Sequence, residues 1–142
     1  PGPLTPDERQ TMNRHAAIGA SILGKSRIEL FQLASEIALT HHERWDGQGY
    51  PNQLAGEDIP LSGRIVAVVD FYDALTMNRV YRPAFSHEKV LEMLLAERGR
   101  AFDPAIVDCF MRSNIAMSAV RERVTNQQMT FTDLNQNEPV NP

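Results

Sequence analysis

The stretch that decides the fold class is residues 64–75, RIVAVVDFYDAL. Its first apolar run is short and rich in β-branched side chains, so that run by itself is also compatible with a buried strand. Apolar residues continue as far as Leu75, however, and the two acidic residues, Asp70 and Asp73, are three positions apart and would share one face of a helix. We therefore predict a helix here, with Ser62 as its N-cap.

The sequence before this stretch predicts two more helices. Thr5, followed by a proline and two acidic residues, is typical of a helix start, and this helix is expected to continue to about Gly24. A second apolar segment predicts a helix that ends near Trp45 and carries His41 and His42 on its last turn. The face of the first helix that is expected to enter the core contains Met12, Ala16, Gly19, Ile22 and Leu23.

The sequence after this stretch predicts a fourth and a fifth helix. Ser86 is a typical N-cap for the fourth, and Asp103 followed by Pro104 is a typical start for the fifth, whose inward-facing residues are expected to extend to Ile115. Residues 46–60 are instead rich in glycine, proline and amide side chains, which indicates a structured loop. Because no alternating strand pattern competes, we predict an all-α helical bundle of about five helices.

The composition changes near the C-terminus. After Val124 the chain is dominated by Gln, Asn, Thr, Glu and Pro, with only scattered apolar residues. Such a composition is typical of a weakly ordered segment. We therefore predict one domain over residues 1–124 and a tail or C-terminal extension over residues 125–142.

Composition and charge disfavour several classes of protein. A net charge of -4 and a pI near 5.5 argue against binding to long nucleic acid, which requires a clustered basic surface. No apolar run approaches the roughly 20 residues that span a bilayer, so no membrane segment is expected. The single cysteine, Cys109, excludes an internal disulfide and stands among apolar residues, which predicts a buried thiol. These features are typical of a soluble, cytoplasmic domain.

His15, His41, His42 and Asp70 are candidate ligands of a metal ion. A carboxylate within an apolar helix is costly unless a cation or several donors compensate it, so Asp70 is expected to be buried and paired. His41 and His42 are adjacent, and their directions on a helix differ by about 100°, so both can reach one ion only at the mouth of a site, or they serve two neighbouring ions. Nitrogen and oxygen ligands suit zinc, manganese, iron or nickel. Spacing alone leaves ordinary hydrogen-bonded histidines as an equally good interpretation.

Residues 41–51, HHERWDGQGYP, resemble the signature HHExxDGxGYP of HD-GYP domains. The helix around His15 also resembles a helix of that family, and the resemblance extends from residue 1 to about residue 110. Further segments match the family in the same order: GEDIP at 56–60, RIVAVVD at 64–70, DALT at 73–76 and FDP at 102–104.

The resemblance implies a metal-dependent phosphodiesterase domain of bacterial second-messenger signalling that hydrolyses cyclic di-GMP to pGpG and GMP. It also implies a divalent transition metal, iron or manganese, with two or three ions in the complete domain. The metal ligands that it implies are His15, His41, His42 and Asp70. The residues that it places at the substrate are Arg79, Arg82, Gly49, Tyr50 and Pro51, and those that would support the site are Asp73, Glu43 and Asp46.

Members of that family carry a His-Asp pair upstream of the matched region, and this sequence begins just downstream of it. The resemblance therefore implies a chain that is incomplete and inactive as a catalyst by itself. It also implies an N-terminal receiver or sensory domain in the longer protein. One alternative function is a catalytically inactive module that docks to GGDEF-type partners, and another is an HD-superfamily phosphohydrolase that acts on a different nucleotide.

Overall fold

The computed structural model describes residues 4–78 and 83–126. Within these residues it contains six α-helices, no β-strand and a short 3-10 turn at Gly56–Asp58. The all-α prediction is confirmed, with one helix more than expected. The helices are α1 (Pro6–Leu23), α2 (Glu29–Thr40), α3 (Leu61–Thr76), α4 (His87–Ala96), α5 (Pro104–Arg112) and α6 (Asn114–Asn126).

The chain divides into two compact units, residues 1–111 and residues 112–142. The first unit contains α1 to α4 and nearly all of α5, and the second contains α6. Because α6 continues to Asn126, it runs two residues past the predicted end of the domain. The rest of the predicted tail lies outside the described residues, so the boundary at residue 124 stays a prediction.

Thr5 begins α1 as predicted. Its hydroxyl oxygen accepts a hydrogen bond from the Glu8 amide at 3.3 Å, and the Glu8 carboxylate accepts one from the Thr5 amide at 2.8 Å. This reciprocal pair is a capping box. Hydrogen bonds from the Thr5 backbone amide and from its side chain to the carboxylate lower the pKa of Glu8. Two local bonds thus fix the start of the helix that carries His15.

Helix α1 packs against α2 through small side chains. Ala16 and Ala20 are buried, and the Ser35 hydroxyl of α2 donates to the Ala20 carbonyl at 2.8 Å. The prediction that Met12 and Ile22 enter the core is wrong, since they are 59% and 66% exposed. The stripe of α1 that faces α2 is narrow and is filled by alanines, so the larger side chains lie outside it.

Helix α2 ends at Thr40, earlier than the predicted end near Trp45. His41 is the C-cap residue, and both adjacent histidines lie after the last helical residue. The chain then leaves the helix because the amides of Trp45 and Asp46 donate to carbonyl groups at residues 100–101, at 3.1 and 2.8 Å. The histidine pair therefore lies at the point where a helix becomes a loop.

Helix α3 begins at Leu61, and the prediction that Ser62 caps it is wrong. The Ser62 hydroxyl instead donates to the Glu36 carboxylate of α2 at 2.6 Å. Helix α3 packs against both α2 and α4. The residues that it buries are Gly63, Val68, Tyr72 and Thr76, and the core continues with Val90 and Leu94 of α4 and Val107 and Phe110 of α5.

Helix α5 begins at Pro104 as predicted but ends at Arg112, so the expectation that it extends inward to Ile115 is wrong. Ile115 belongs to α6 and is 82% exposed. Cys109 is exposed as well, which contradicts the predicted buried thiol. It lies about 200° around the helix from the buried Val107 and so faces outward.

Among the described residues, no helix combines the length and the apolar character needed to cross a bilayer.

Candidate metal centre

His15 presents one ring nitrogen towards the end of α2. Its Nδ1 donates to the Met12 carbonyl one turn earlier on α1, at 2.8 Å. This bond leaves Nε2 as the free nitrogen, and that atom lies 3.1 Å from Nε2 of His42. A backbone carbonyl that holds the other ring nitrogen is the usual way in which proteins orient a histidine ligand.

His41 is held by the carboxyl end of α2 in the same manner. Its Nδ1 lies 3.0 Å from the carbonyl oxygens of both Ile37 and Ala38 in the last turn of the helix, and the Ile37 carbonyl also accepts from the His41 amide. With Nδ1 as the donor, Nε2 keeps its lone pair. His41 and His15 therefore share one arrangement, although they come from different helices.

The three imidazoles converge on a small volume. One ring nitrogen from each of His15, His41 and His42 lies within 4.8 Å of the other two. The ring centroids of His41 and His42 are 4.0 Å apart, and those of His15 and His42 are 4.9 Å apart. Burial, together with the positive charge that His41 and His15 can carry, lowers the pKa of His42 to about 4. A neutral His42 has the lone pair that a metal requires, so this donor set fits a divalent transition metal.

Asp70 lies near this cluster but is not one of its members in the described part of the chain. It lines the same cavity as His41 and His42, and its negative charge acts to raise the pKa of His42 against the larger opposing effects. The expectation that Asp70 is buried is wrong, because its side chain is exposed. Its role as a fourth ligand stays a prediction.

A cavity of about 300 Å³ adjoins the histidine pair. His41, His42 and Asp70 form its polar side, and Phe71 and Phe102, whose ring centroids are 5.1 Å apart, form part of its apolar side. Neither phenylalanine is among the site residues predicted from the sequence. Phe71 directly follows a predicted ligand, and that position was the only signal for it.

Glu43 organises the loop that follows the histidines. Its side chain is 3% exposed, and its two carboxylate oxygens accept from the amides of Asn52 at 2.7 Å and Leu54 at 3.1 Å. Glu43, the residue next to His42, therefore holds the backbone of residues 52–54, and its role in supporting a metal site stays a prediction.

The Gly-Tyr-Pro segment folds back onto the histidines. The Tyr50 amide donates to the His42 carbonyl at 3.2 Å, and the ring of Tyr50 lies 4.8 Å from that of His42, centroid to centroid. Burial raises the pKa of the Tyr50 hydroxyl. Gly49 is buried, whereas Pro51, which follows a cis peptide bond, is exposed. The predicted contact of these three residues with substrate stays a prediction.

The other predicted site residues have different surroundings. Asp46 accepts two hydrogen bonds from the Arg44 guanidinium, at 3.0 and 2.7 Å, and these bonds lower the pKa of its carboxyl. It also accepts from the Gln48 amide, so its hydrogen bonds are internal to the loop. Asp73 is exposed on α3, and its supporting role stays a prediction. Arg79 and Arg82 lie outside the described residues.

The remaining histidine, His87, is not part of the cluster in the described residues. Its Nδ1 shares a hydrogen bond of 2.8 Å with the hydroxyl of the buried Tyr72. It is the first residue of α4, directly after the cap Ser86. His87 therefore serves as an internal control for experiments on the other three.

Comparison with known proteins identifies the class to which this fold and histidine cluster belong. A family model described as "HD domain" matches residues 1–106, and the chain belongs to this family. Within it, the domain is of the HD-GYP type. A crystal structure of a cyclic GMP-AMP-specific phosphodiesterase from Vibrio cholerae, V-cGAP3, has a TM-score of 0.55 at 21% identity and matches 94% of this chain and 29% of its own. It agrees with the helical fold.

Three curated relatives show the range of names within the family. A cyclic di-GMP phosphodiesterase of V. cholerae is 51% identical over 78% of this chain and 24% of its own length. The 3'3'-cGAMP-specific phosphodiesterase 2 of the same organism is 45% identical, over 85% of this chain and 23% of its own length. The cyclic di-GMP phosphodiesterase response regulator RpfG of Xanthomonas campestris is 47% identical, over 84% of this chain and 32% of its own length. The chain thus spans about a quarter to a third of the length of these relatives.

Proposed function

We propose that this chain is part of a metal-dependent phosphodiesterase domain of bacterial second-messenger signalling, which hydrolyses cyclic di-GMP to pGpG and GMP. The observation that carries the proposal is the convergence of three imidazoles beside the Gly-Tyr-Pro segment. The names of the relatives support the reaction class. A cytoplasmic location stays a prediction of the sequence.

The proposed metal ligands are His15, His41, His42 and Asp70, and the proposed metal is iron or manganese, with two or three ions in the complete domain. Such a metal, when bound, supplies Lewis acidity towards a phosphoryl oxygen and towards water. Carbonyl groups at the Nδ1 atoms of His15 and His41 keep the ligand nitrogens oriented before any ion arrives. The protein therefore needs little reorganisation when the site is loaded.

The substrate is proposed to lie against Gly49, Tyr50 and Pro51, with Arg79 and Arg82 on its phosphates. The support for the arginines is chemical, because a guanidinium pairs with two phosphate oxygens at once. The support for the loop is its position, since the Tyr50 ring flanks His42. Tyr50 would limit access of bulk water to the reacting phosphate on that side.

A second candidate substrate is 3'3'-cGAMP. The observation in its favour is that a relative with that specificity in its name is nearly as similar, at 45% identity, as those named for cyclic di-GMP. Both substrates are cyclic dinucleotides with two phosphodiester bonds, so the metal and arginine chemistry serves either. A competition assay with equal concentrations of the two separates the candidates.

The proposed partners of the longer protein are an N-terminal receiver or sensory domain and GGDEF-domain proteins. Support for the receiver comes from the relative named as a response regulator. Support for docking to GGDEF domains comes from the exposure of Pro51, Asn52 and Gln53 in the loop. Loss of co-purification upon P51A substitution, with metal content unchanged, is the expected result for docking through this loop.

The test of the main proposal uses the full-length protein that contains this chain. Metal content is measured by inductively coupled plasma mass spectrometry, and release of pGpG is followed by chromatography. We expect H41A and H42A to lose both metal and hydrolysis, and H87A to retain both. Full metal content in H41A and H42A, or hydrolysis by metal-free protein, contradicts the proposal.

A further inference from the structure

We propose that Arg64 is a positioning residue for the metal centre, because it ties the segment that directly follows His42 to helices α3 and α5. Its meaning for catalysis rests on the proposed function, whereas its geometry can be tested without metal or substrate. Arg64 lies on the first turn of α3 and is not among the site residues predicted from the sequence.

The first link is a largely buried ion pair. Arg64 Nη1 lies 2.7 Å from the Asp103 Oδ2 atom, and the two side chains are 17% and 5% exposed. The other carboxylate oxygen of Asp103 accepts from the Ala105 amide at 2.8 Å, at the start of α5. A buried ion pair is weak evidence for stability by itself, because desolvation offsets most of the attraction. The pair therefore calls for an explanation in terms of position.

The second link joins Arg64 to the loop after the histidines. The guanidinium carbon lies 5.9 Å from the ring centroid of Trp45, within the range of a cation-π contact. The Trp45 amide in turn donates to the Ala101 carbonyl, two residues before Asp103. Arg64 therefore contacts both chain segments that this backbone bond joins, one through Trp45 and the other through Asp103.

The third link is a small niche between Arg64 and Glu43. It has a volume of about 10 Å³ and is lined by Glu43, Arg64, Asp103 and neighbouring apolar groups. Arg64 Nε is buried and has no hydrogen-bond partner among the residues that the structure describes. A space of this size holds one water molecule when two or more polar groups can bond to it. We infer that one water links Arg64 Nε to a carboxylate of the niche.

Of these links, the niche reaches Glu43, which follows His42 and binds the amides of Asn52 and Leu54. If Arg64 positions Glu43, its loss should loosen those two bonds while bonds elsewhere remain. Amide hydrogen exchange measured by NMR reports on each bond separately. The Gly24 amide, which donates to Ala20 at the end of α1, is the internal reference.

The variants are R64M, R64K and the double variant R64M/D103N. In R64M we expect the amide hydrogens of Asn52 and Leu54 to exchange at least tenfold faster than in the wild type. The exchange rate of the Gly24 amide should be unchanged. The double variant removes the uncompensated buried charge while its new carboxamide keeps an oxygen for the start of α5, so its melting temperature should recover. Its loop amides should nevertheless stay fast, since neither the cation over Trp45 nor the Nε donor is restored. R64K, which keeps only the charge, should fall between wild type and R64M.

Two results overturn the proposal. Equal acceleration of all amides, including Gly24, means that Arg64 acts only on global stability. If the exchange rates of the Asn52 and Leu54 amides return to the wild-type values in the double variant, the effect of R64M comes only from the unpaired charge of Asp103. Because these measurements are made without metal, retention of metal by the histidine variants would contradict the proposed function and leave the result for Arg64 intact.

Discussion

Gly49 lies against the backbone of Glu43 so closely that a β-carbon at position 49 would be 2.5 Å from the Glu43 α-carbon. The same atom would be closer still to the Arg44 amide nitrogen. Only glycine fits here, because the obstacle is main chain that cannot rotate away. We expect G49A to lower the free energy of unfolding by about 2–3 kcal/mol, as other overpacked sites do, and to displace the loop from His42. Chemical denaturation measures the first effect and loss of metal the second.

Gly19 provides the matched control for that substitution. A β-carbon there would meet the Ala38 side chain at 3.5 Å, an ordinary contact within a helical interface. Since alanine favours a helix over glycine, we expect G19A to leave the stability unchanged or to raise it by up to about 1 kcal/mol. A G49A protein as stable as G19A would show that the loop can move aside.

Glu43 should be intolerant of a change that removes only its charge. E43Q keeps the shape of the side chain but replaces one of the two acceptor oxygens by an NH₂ group, which cannot accept from the Asn52 or Leu54 amide. We expect a loss of about 1–3 kcal/mol in the free energy of unfolding. Thermal unfolding followed by circular dichroism measures this loss. E57Q, at an exposed glutamate of the same loop, is the control and should have little effect.

Gly63 sets the distance between α2 and α3. A β-carbon there would lie 2.9 Å from the Thr40 β-carbon and even closer to its hydroxyl. We expect G63A to lower the free energy of unfolding by about 2 kcal/mol, because the two helices must separate. Urea denaturation tests this prediction. An unchanged midpoint would mean that the buried Thr40 can turn away without loss.

His42 should make the stability of the metal-free chain dependent on pH. The unfolded chain takes up a proton on this residue near pH 6.5, whereas the folded chain does so only near pH 4. Between these values the unfolded state binds more protons, so the free energy of unfolding falls as the pH is lowered through this window. Urea midpoints in the presence of a chelator should decline across it. The urea midpoint of H42Q should decline less steeply with falling pH. Parallel plots of midpoint against pH for the two proteins would contradict the assignment of this pH dependence to His42.

The sequence predicted the helix starts at Thr5, Ser86 and Pro104 because capping depends on residues a few positions apart. It misplaced the end of α2, since that end depends on bonds to residues 100–101, far along the chain. It also did not predict α6 as a separate helix, because Ile115 was assigned to the preceding helix.

More of the site residues than of the packing contacts around them could be predicted from the sequence. Adjacent histidines in a distinctive motif identified His41 and His42, and the structure brings His15 to them. Burial of Asp70 was predicted wrongly because α3 is apolar nearly all round, whereas the fold buries only its stripe through Val68 and Tyr72. The pairing of Arg64 with Asp103, 39 residues apart, had no local signal at all.

The positions of His15 on α1 and of His41 and His42 at the end of α2 give any bound cation a mechanical role. An ion held by all three would act as a reversible cross-link between two helices, as a disulfide does, but one whose strength follows the free metal concentration. Since the residues that α1 buries are Ala16 and Ala20, the ion would add a strong link to an interface of small side chains. The stability of the α1–α2 pair in a cell would then depend on how much free metal the cell contains.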